Sequence, residues 1–251
     1  MTTFEVSEEE RRRHYEECWE KGGLGMMLAY ADSGTNLEAN LTISDFIKEK
    51  IKHIVKDPAV AEALLPDHIY ACKRPCLDTN YFETYNRPNV TLVDIRKSEI
   101  ERITPTGVHV NGKDYELDCI VFATGFDAMT GSLNRINIRG KGNLALKDKW
   151  ADGPRSYLGL SSAGFPNLFT ITGPGSPSVL ANMIPAIEQH VNWIGDCLEY
   201  MRKQGRQTIE ATVEAENPWL IQVQTAANAT LWNACDNWYV GANVPGKPRV
   251  F

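Results

Sequence analysis

The sequence has no stretch near the roughly 18 consecutive apolar residues that a membrane-spanning helix needs. Met1 to Glu10 carries neither the basic nor the apolar region of a secretory leader, so a cytoplasmic protein that does not bind membranes is the expectation. Positive charge is also short. Against 32 Asp and Glu stand 26 Lys and Arg, a formal charge of -6, which has the wrong sign for a whole-protein nucleic-acid footprint. That balance still allows a local basic pocket for a phosphorylated cofactor. Cysteine is sparse and scattered, at 18, 72, 76, 119, 197 and 235. Cys72 and Cys76 have three residues between them where metal knuckles usually have two, so reduced, mostly buried thiols and no metal site are expected. Histidines 14, 53, 68, 109 and 190 form no cluster, and no nucleophile, base and orienter can be read from their spacing.

What is present is enough apolar material for a real core. Over 251 residues, 43% hydrophobic and 23% charged composition describes a globular chain of one or two domains, without repeats or low-complexity tracts. Ser7 followed by Glu10 is a capping box opening a helix to about Gly22. Thr42 and Asp45 precede Phe46, Ile47, Ile51, Ile54 and Val55, whose three-and-four spacing predicts a second helix, and Pro58 and Pro66 break the pattern into short pieces beyond it. From Asn89 the period changes to two. Val90–Ile95 reads as a strand, and Glu99–Thr104, Val108–Val110 and Tyr115–Leu117 read as a meander turning at Asn111-Gly112.

Cys119–Ala123 is continuously apolar, as a strand covered on both faces is, and predicts the central strand of an α/β sheet. A further short strand is expected at Asn167–Thr172, running into Gly173-Pro174-Gly175. Beyond it the pattern predicts a long helix, Leu180–Lys203, and Asn217-Pro218 as the start of one more, to about Leu231.

Several segments carry chemistry, each with a plainer alternative. Lys73-Arg74-Pro75 places two adjacent cations between the helical region and the first strand, where they can hold a phosphate or a developing oxyanion, or simply face solvent. Gly140-x-Gly142-x-x-Ala145 matches the dinucleotide fingerprint in form only, since no amphipathic helix or ribose-binding acid follows it; it reads as a turn. Gly173-x-Gly175 follows a strand signal and precedes a helix, which suits backbone amides facing an electron-rich ligand edge as well as a structural turn. Trp238, ahead of Gly241-Ala242-Asn243, can stack on a ring or anchor a core.

Taken in order, Lys73-Arg74-Pro75, Asn80-Tyr81-Phe82, Tyr85–Val90, Ala123-Thr124-Gly125-Phe126-Asp127, Gly173–Ser176, Asn182-Met183 and Gly241–Lys247 resemble the Baeyer–Villiger monooxygenases. Within that family the likeness is to the phenylacetone and cyclohexanone enzymes, and it runs along nearly the whole chain. The resemblance implies part of a flavoprotein monooxygenase fold with two dinucleotide-binding domains, a helical insertion and a β-meander. Residues 1–125 would be the later part of the NADP-binding domain, and 126–251 the C-terminal part of the FAD-binding domain. The family's flavin loop, second glycine loop and linking fingerprint are not in this sequence. The chain therefore resembles the C-terminal half, with the N-terminal half of the same enzyme as its missing partner, and is expected to be a fragment inactive alone.

The activity implied is insertion of one oxygen from O2 beside a ketone carbonyl, giving an ester or lactone, with FAD and NADPH. By similarity, Arg74 would be catalytic, stabilising the negative peroxyflavin and the oxyanion formed on the ketone, a role suited to a guanidinium that stays charged at all working pH. Lys73 would meet the extra phosphate of NADP, and Trp238 would hold the cofactor. Ala123, Thr124 and Gly125 would border the cofactor. Asn182 and Met183, at a helix start, would face the flavin, and Ser178, Val179, Leu180 and Ala181 would line the substrate pocket. The carboxylate that the family places near its arginine belongs to the half not seen here. Two rivals remain open: a catalytically silent binding module derived from this fold, and a related flavin monooxygenase that oxidises nitrogen or sulfur.

Overall fold

In the computed structural model the described residues are 1–96, 99–176 and 182–250. They fall into two units, Met1–Tyr70 with Arg74–Gly125, and Ala71–Lys73 with Phe126–Phe251.

The first unit opens with α1, Glu8–Lys21. Ser7 accepts from the Glu10 amide, Glu8 to Glu10 crowd the positive end and Lys21 the negative end, and Gly22 at φ 67° ends the helix. The second helix, α2, runs Leu37–Ile54 and begins earlier than Thr42 predicts. Asn36 supplies the cap by accepting from the Ala39 amide, while Thr42 lies inside the helix, its hydroxyl donating to the Ala39 carbonyl. The predicted apolar stripe is the buried one: Ile43 and Phe46 pack with Tyr15, Cys18, Met26 and Tyr30, and Ile51 packs with Val55 and Ala61. Asp57 caps α3, Pro58–Leu64, with proline at the first helical position, where its missing N–H costs nothing. A single turn, α4, spans Tyr81–Thr84.

The meander is present as predicted: β1 Ile100–Thr104, β2 Gly107–Val110 and β3 Lys113–Glu116 form one antiparallel sheet in that order. Asn111 and Gly112 turn at φ 50° and 70°, both left-handed as a tight hairpin requires. Gly107 is needed for a different reason, because a Cβ there would lie 1.9 Å from the Tyr115 carbonyl oxygen of the neighbouring strand. Gly107→Ala is expected to destabilise this sheet by about 1 to 3 kcal/mol, since the clash is with backbone and cannot be relieved by a side-chain rotation. Hydrogen exchange should show amides in 100–116 losing protection while α1 and α2 keep theirs. Unchanged protection would show that the strands separate at little cost.

Three strand expectations are overturned. Val90–Ile95, Cys119–Ala123 and Asn167–Thr172 form no strand among the described residues. Nor is the second of them covered: Val121 is 84% and Phe122 67% exposed. Period and apolar content suit a segment to a strand, but a strand exists only where another backbone completes its ladder; among the described residues no ladder forms at these segments, Asn167 and Thr170 making only single backbone bonds, to the Ile209 and Leu160 carbonyls.

In the second unit α5, Gly131–Arg135, and α6, Leu146–Lys149, bring Leu146 and Trp150 against Phe165, with Leu133, Ile138 and Leu168 around them. Gly140 serves this packing, since a Cβ there would meet the Gly164 carbonyl oxygen at 2.2 Å, and Arg139 bridges to Ala145 across the turn. The long helix α7 is described over Met183–Lys203, with Asn182 accepting from the Ile184 amide, while the predicted start at Leu180 lies outside the described residues. The last helix, α8, Val213–Asn228, corrects the Asn217-Pro218 expectation. Thr212 caps it, Pro218 lies inside it, and the Asn217 side-chain oxygen accepts from Arg155 instead of capping. The expectation of reduced, mostly buried thiols also fails in part: Cys72 and Cys235 are joined in a disulfide, and of the free cysteines Cys18 is buried, Cys197 partly so, and Cys76 and Cys119 are exposed.

Candidate functional site

Lys73 sits on the short piece of chain, Ala71–Lys73, that belongs to the second unit. Two local features set its position. Ala71 takes the left-handed conformation, φ 60°, which reverses the chain, and Cys72, wholly buried, is bonded to Cys235. Lys73 is exposed and near Asp236, whose carboxyl is held below the ordinary range mainly by its hydrogen bond with Arg249, with Lys73 adding a smaller attraction. Arg74 is exposed too.

Asn237 organises the loop after Cys235. It is 4% exposed, donates to the carbonyls of Trp232 and Cys235, and accepts from the Val240 amide. Trp238 opens the resulting single turn, Trp238–Val240, half-buried, its ring 4.2 Å from that of Tyr239. Trp238 therefore packs on Tyr239 while part of its surface stays exposed. Downstream, Asn243 donates to the Phe126 carbonyl at 2.7 Å, and the Lys247 ammonium binds Asp127 at 2.6 Å and the Ala128 carbonyl at 2.5 Å. These bonds dock 243–247 on the start of the second unit. Beside them lies a cavity of about 260 Å³ whose lining includes Asp127, Thr130, Asn134, Trp150 and Lys247. Asn134 Oδ1 is buried there without a hydrogen-bond partner.

The Gly173–Gly175 turn is held from several sides. Ser156 donates to the Pro174 carbonyl, Trp219 donates its indole N–H to the Gly175 carbonyl, and Gly175 is left-handed at φ 80°. Thr172 donates its amide to Nδ1 of buried His190, tying the turn to α7. Asn182 and Met183 are exposed at the start of that 21-residue helix, whose positive end they carry. Ser178, Val179, Leu180 and Ala181 lie outside the described residues. In the first unit Ala123, Thr124 and Gly125 are exposed, and Gly125 at φ 77° has open space where a side chain would stand.

Lys73 and the Trp238 loop are therefore brought together in the second unit by a disulfide whose cysteines stand 163 positions apart. Sequence signals attach no role to Cys72, Cys235, Asn237 or the Asp127–Lys247 pair. Asp127 and Lys247 stand in two of the family-like segments, but nothing in their spacing shows that they meet. Among the described residues no group of His, Cys, Asp and Glu is arranged to hold a metal, and no helix is long and apolar enough to cross a membrane.

No family model matches the chain. A Baeyer-Villiger monooxygenase of Pseudooceanicola batsensis is 44% identical over 248 residues, 98% of this chain and 45% of that protein. Along nearly all of its own length the chain is similar to Baeyer–Villiger monooxygenases. It spans about half the length of the curated relatives it matches. A cyclohexanone 1,2-monooxygenase of Acinetobacter sp. is 44% identical over all of this chain and 46% of its own. A phenazine N-monooxygenase of Lysobacter antibioticus is 41% identical over 98% of this chain and 46% of its own. Among solved structures, an oxidised steroid monooxygenase bound to NADP is 50% identical at a TM-score of 0.90, covering 96% of this chain and 46% of that one. A second, OTEMO in complex with FAD and NADP, is 44% identical at 0.91, covering 95% and 45%. The fold thus matches about half of each of these monooxygenases, in line with the resemblance seen in the ordered segments.

Proposed function

We propose that this chain supplies the later half of a Baeyer–Villiger monooxygenase that uses FAD, NADPH and O2 to convert a ketone to an ester or lactone. The observation that carries the reading is agreement with NADP-bound monooxygenase structures at TM-scores of 0.90 and 0.91 over 95% or more of the chain. In this reading residues 1–125 complete the NADP-binding domain and 126–251 the FAD-binding domain.

The side chains present fit the cofactors in part. Lys73 is an exposed cation, a group suited to a phosphate, Trp238 keeps part of its indole exposed, and Gly125 leaves room for close approach to its backbone. The positive end of α7 at Asn182 and Met183 suits an electron-rich ring edge. When bound, the flavin supplies the redox chemistry and the activation of oxygen. Arg74 then offers a fixed positive charge where negative charge develops on the reacting oxygens, Lys73 binds the 2′-phosphate of NADP, and residues 178–181 border the ketone. The phosphate-cradling glycine loops would come from a second polypeptide segment, so this chain alone is expected to bind neither cofactor tightly.

A chimera tests this: these 251 residues replace the matching half of a full-length cyclohexanone monooxygenase. It should bind flavin and oxidise NADPH in a ketone-dependent manner. A chimera that folds and binds flavin but forms no ester would withdraw the assignment. The likeness to a phenazine N-monooxygenase favours a second reading, oxidation at nitrogen; offering the chimera a ketone and a nitrogen heterocycle side by side separates the two.

Within the chimera, Lys73→Ala is expected to weaken NADPH by about 10- to 100-fold while changing NADH little, because the lysine answers the one phosphate that distinguishes them. Steady-state KM values for the two cofactors measure it. Equal losses would remove Lys73 from that role.

A further inference from the structure

We infer that Cys72 and Cys235 form a reversible redox clamp, whose closing fastens the turn bearing Lys73 onto the loop bearing Trp238. Three observations support it. The bond joins the residue before Lys73 to the residue before Asp236, so each end of the disulfide is one step from a charged side chain. The loop on one side is already rigid, because buried Asn237 holds three backbone groups of residues 232–240. The turn on the other side is anchored upstream, where the Tyr70 amide donates to Ser44 and the Tyr70 carbonyl accepts from Asn40, but beyond it Ala71 stands in a left-handed conformation that a residue with a side chain seldom adopts, and Lys73 is exposed. The covalent link thus fastens the downstream, exposed side of this turn to the loop.

The two sulfurs are also unequal in access. Cys72 is completely buried and Cys235 half-buried, so an external thiol reaches the Cys235 sulfur and Cys72 leaves as the thiolate. Opening consumes two electrons and two protons from a dithiol, which becomes a cyclic disulfide, and yields two cysteine thiols. Closing returns the two electrons to a small-molecule disulfide such as oxidised glutathione, which leaves as two thiols. With the clamp open, Lys73 is free to leave the Trp238 loop. On the proposed reading this would make NADP recognition depend on thiol oxidation, although the clamp itself requires only the disulfide and its surroundings.

The test uses the chain without cofactor, so its failure and that of the monooxygenase reading are distinguishable. After equilibration with oxidised glutathione and denaturation, four thiols should react with iodoacetamide, and six after treatment with dithiothreitol. Native trypsin can cut after Lys73 but not between Arg74 and Pro75. Cleavage at Lys73 should be about tenfold slower in the oxidised chain than in the reduced one. The pieces 1–73 and 74–251 should stay joined on a non-reducing gel. Cleavage at Arg206, in an exposed loop of the same unit, should proceed equally in both states.

Six reactive thiols before reduction would overturn the clamp. So would four thiols with equal cleavage at Lys73 in both states. Cys235→Ser should cleave at Lys73 at the reduced rate whatever the oxidant. Should cleavage at Arg206 rise with it, the variant is unfolded, and the wild-type comparison between the two redox states decides.

Discussion

Arg74→Ala, in a full-length protein carrying these 251 residues, is expected to leave flavin bound and reducible by NADPH while ester formation falls by about 100- to 1000-fold or more. The size of the effect reflects where the charge acts. A guanidinium keeps its charge at any working pH and, when fixed in a closed site, stabilises negative charge that exists only after oxygen has reacted. Steps before that point do not draw on it. Flavin reduction followed by absorbance, together with ester measured as product, separates the two stages. A variant that converts ketone at near the parental rate would make Arg74 a structural cation and remove the central catalytic assignment. Arg74→Lys restores the charge but not the planar fork, and should recover only part of the loss.

The second large effect is on stability. Glu216 is 2% exposed, its Oε1 lies 2.8 Å from the Lys149 ammonium and 3.0 Å from the Ala163 amide, and Arg155 stands 3.8 Å from its other oxygen. Lys149 in turn donates to the Ala163 carbonyl and lies over the Phe165 ring. Glu216→Ala would leave a shielded ammonium without its counter-charge and an amide without its acceptor. The expected cost is about 3 to 5 kcal/mol, seen as a lower urea midpoint followed by tryptophan fluorescence. Replacing both charges, Glu216→Leu with Lys149→Met, should cost less than Glu216→Ala alone, because no unpaired charge is then buried. A loss below about 1 kcal/mol in the single variant would show that water reaches Lys149.

The sequence made local structure legible wherever the signal and its partner lie within a few residues. Ser7 with Glu10 and Asn111 with Gly112 each predict the element that forms, since caps and tight turns are satisfied by neighbouring backbone, whereas Pro58, read only as a break, opens a helix that Asp57 caps. The apolar stripe of α2 is readable for the same reason, its period being that of the helix itself. Helix starts are misread where two caps compete. Thr42 and Asn217 have the right side chains, but Asn36 and Thr212 upstream capture the amides first.

Strand identity failed for a different reason. Cys119–Ala123 has the composition of a covered strand and stands exposed, with Phe126 beyond it 90% exposed. Composition reports what a segment would do beside a partner and says nothing of whether one is there.

The ordered segments from Lys73 to Lys247 were enough by themselves to indicate the family, because many short signals in one order are improbable together even where each is weak. The same sequence determined the caps, the meander and the residue types of the proposed site. Only the tertiary structure decided that Cys72 meets Cys235, that Lys247 meets Asp127 and that Lys149 meets Glu216, pairs separated by 163, 120 and 67 positions. No periodicity links such residues. Their meeting depends on how whole elements pack, and that is set by the sum of many weak apolar contacts spread along the chain.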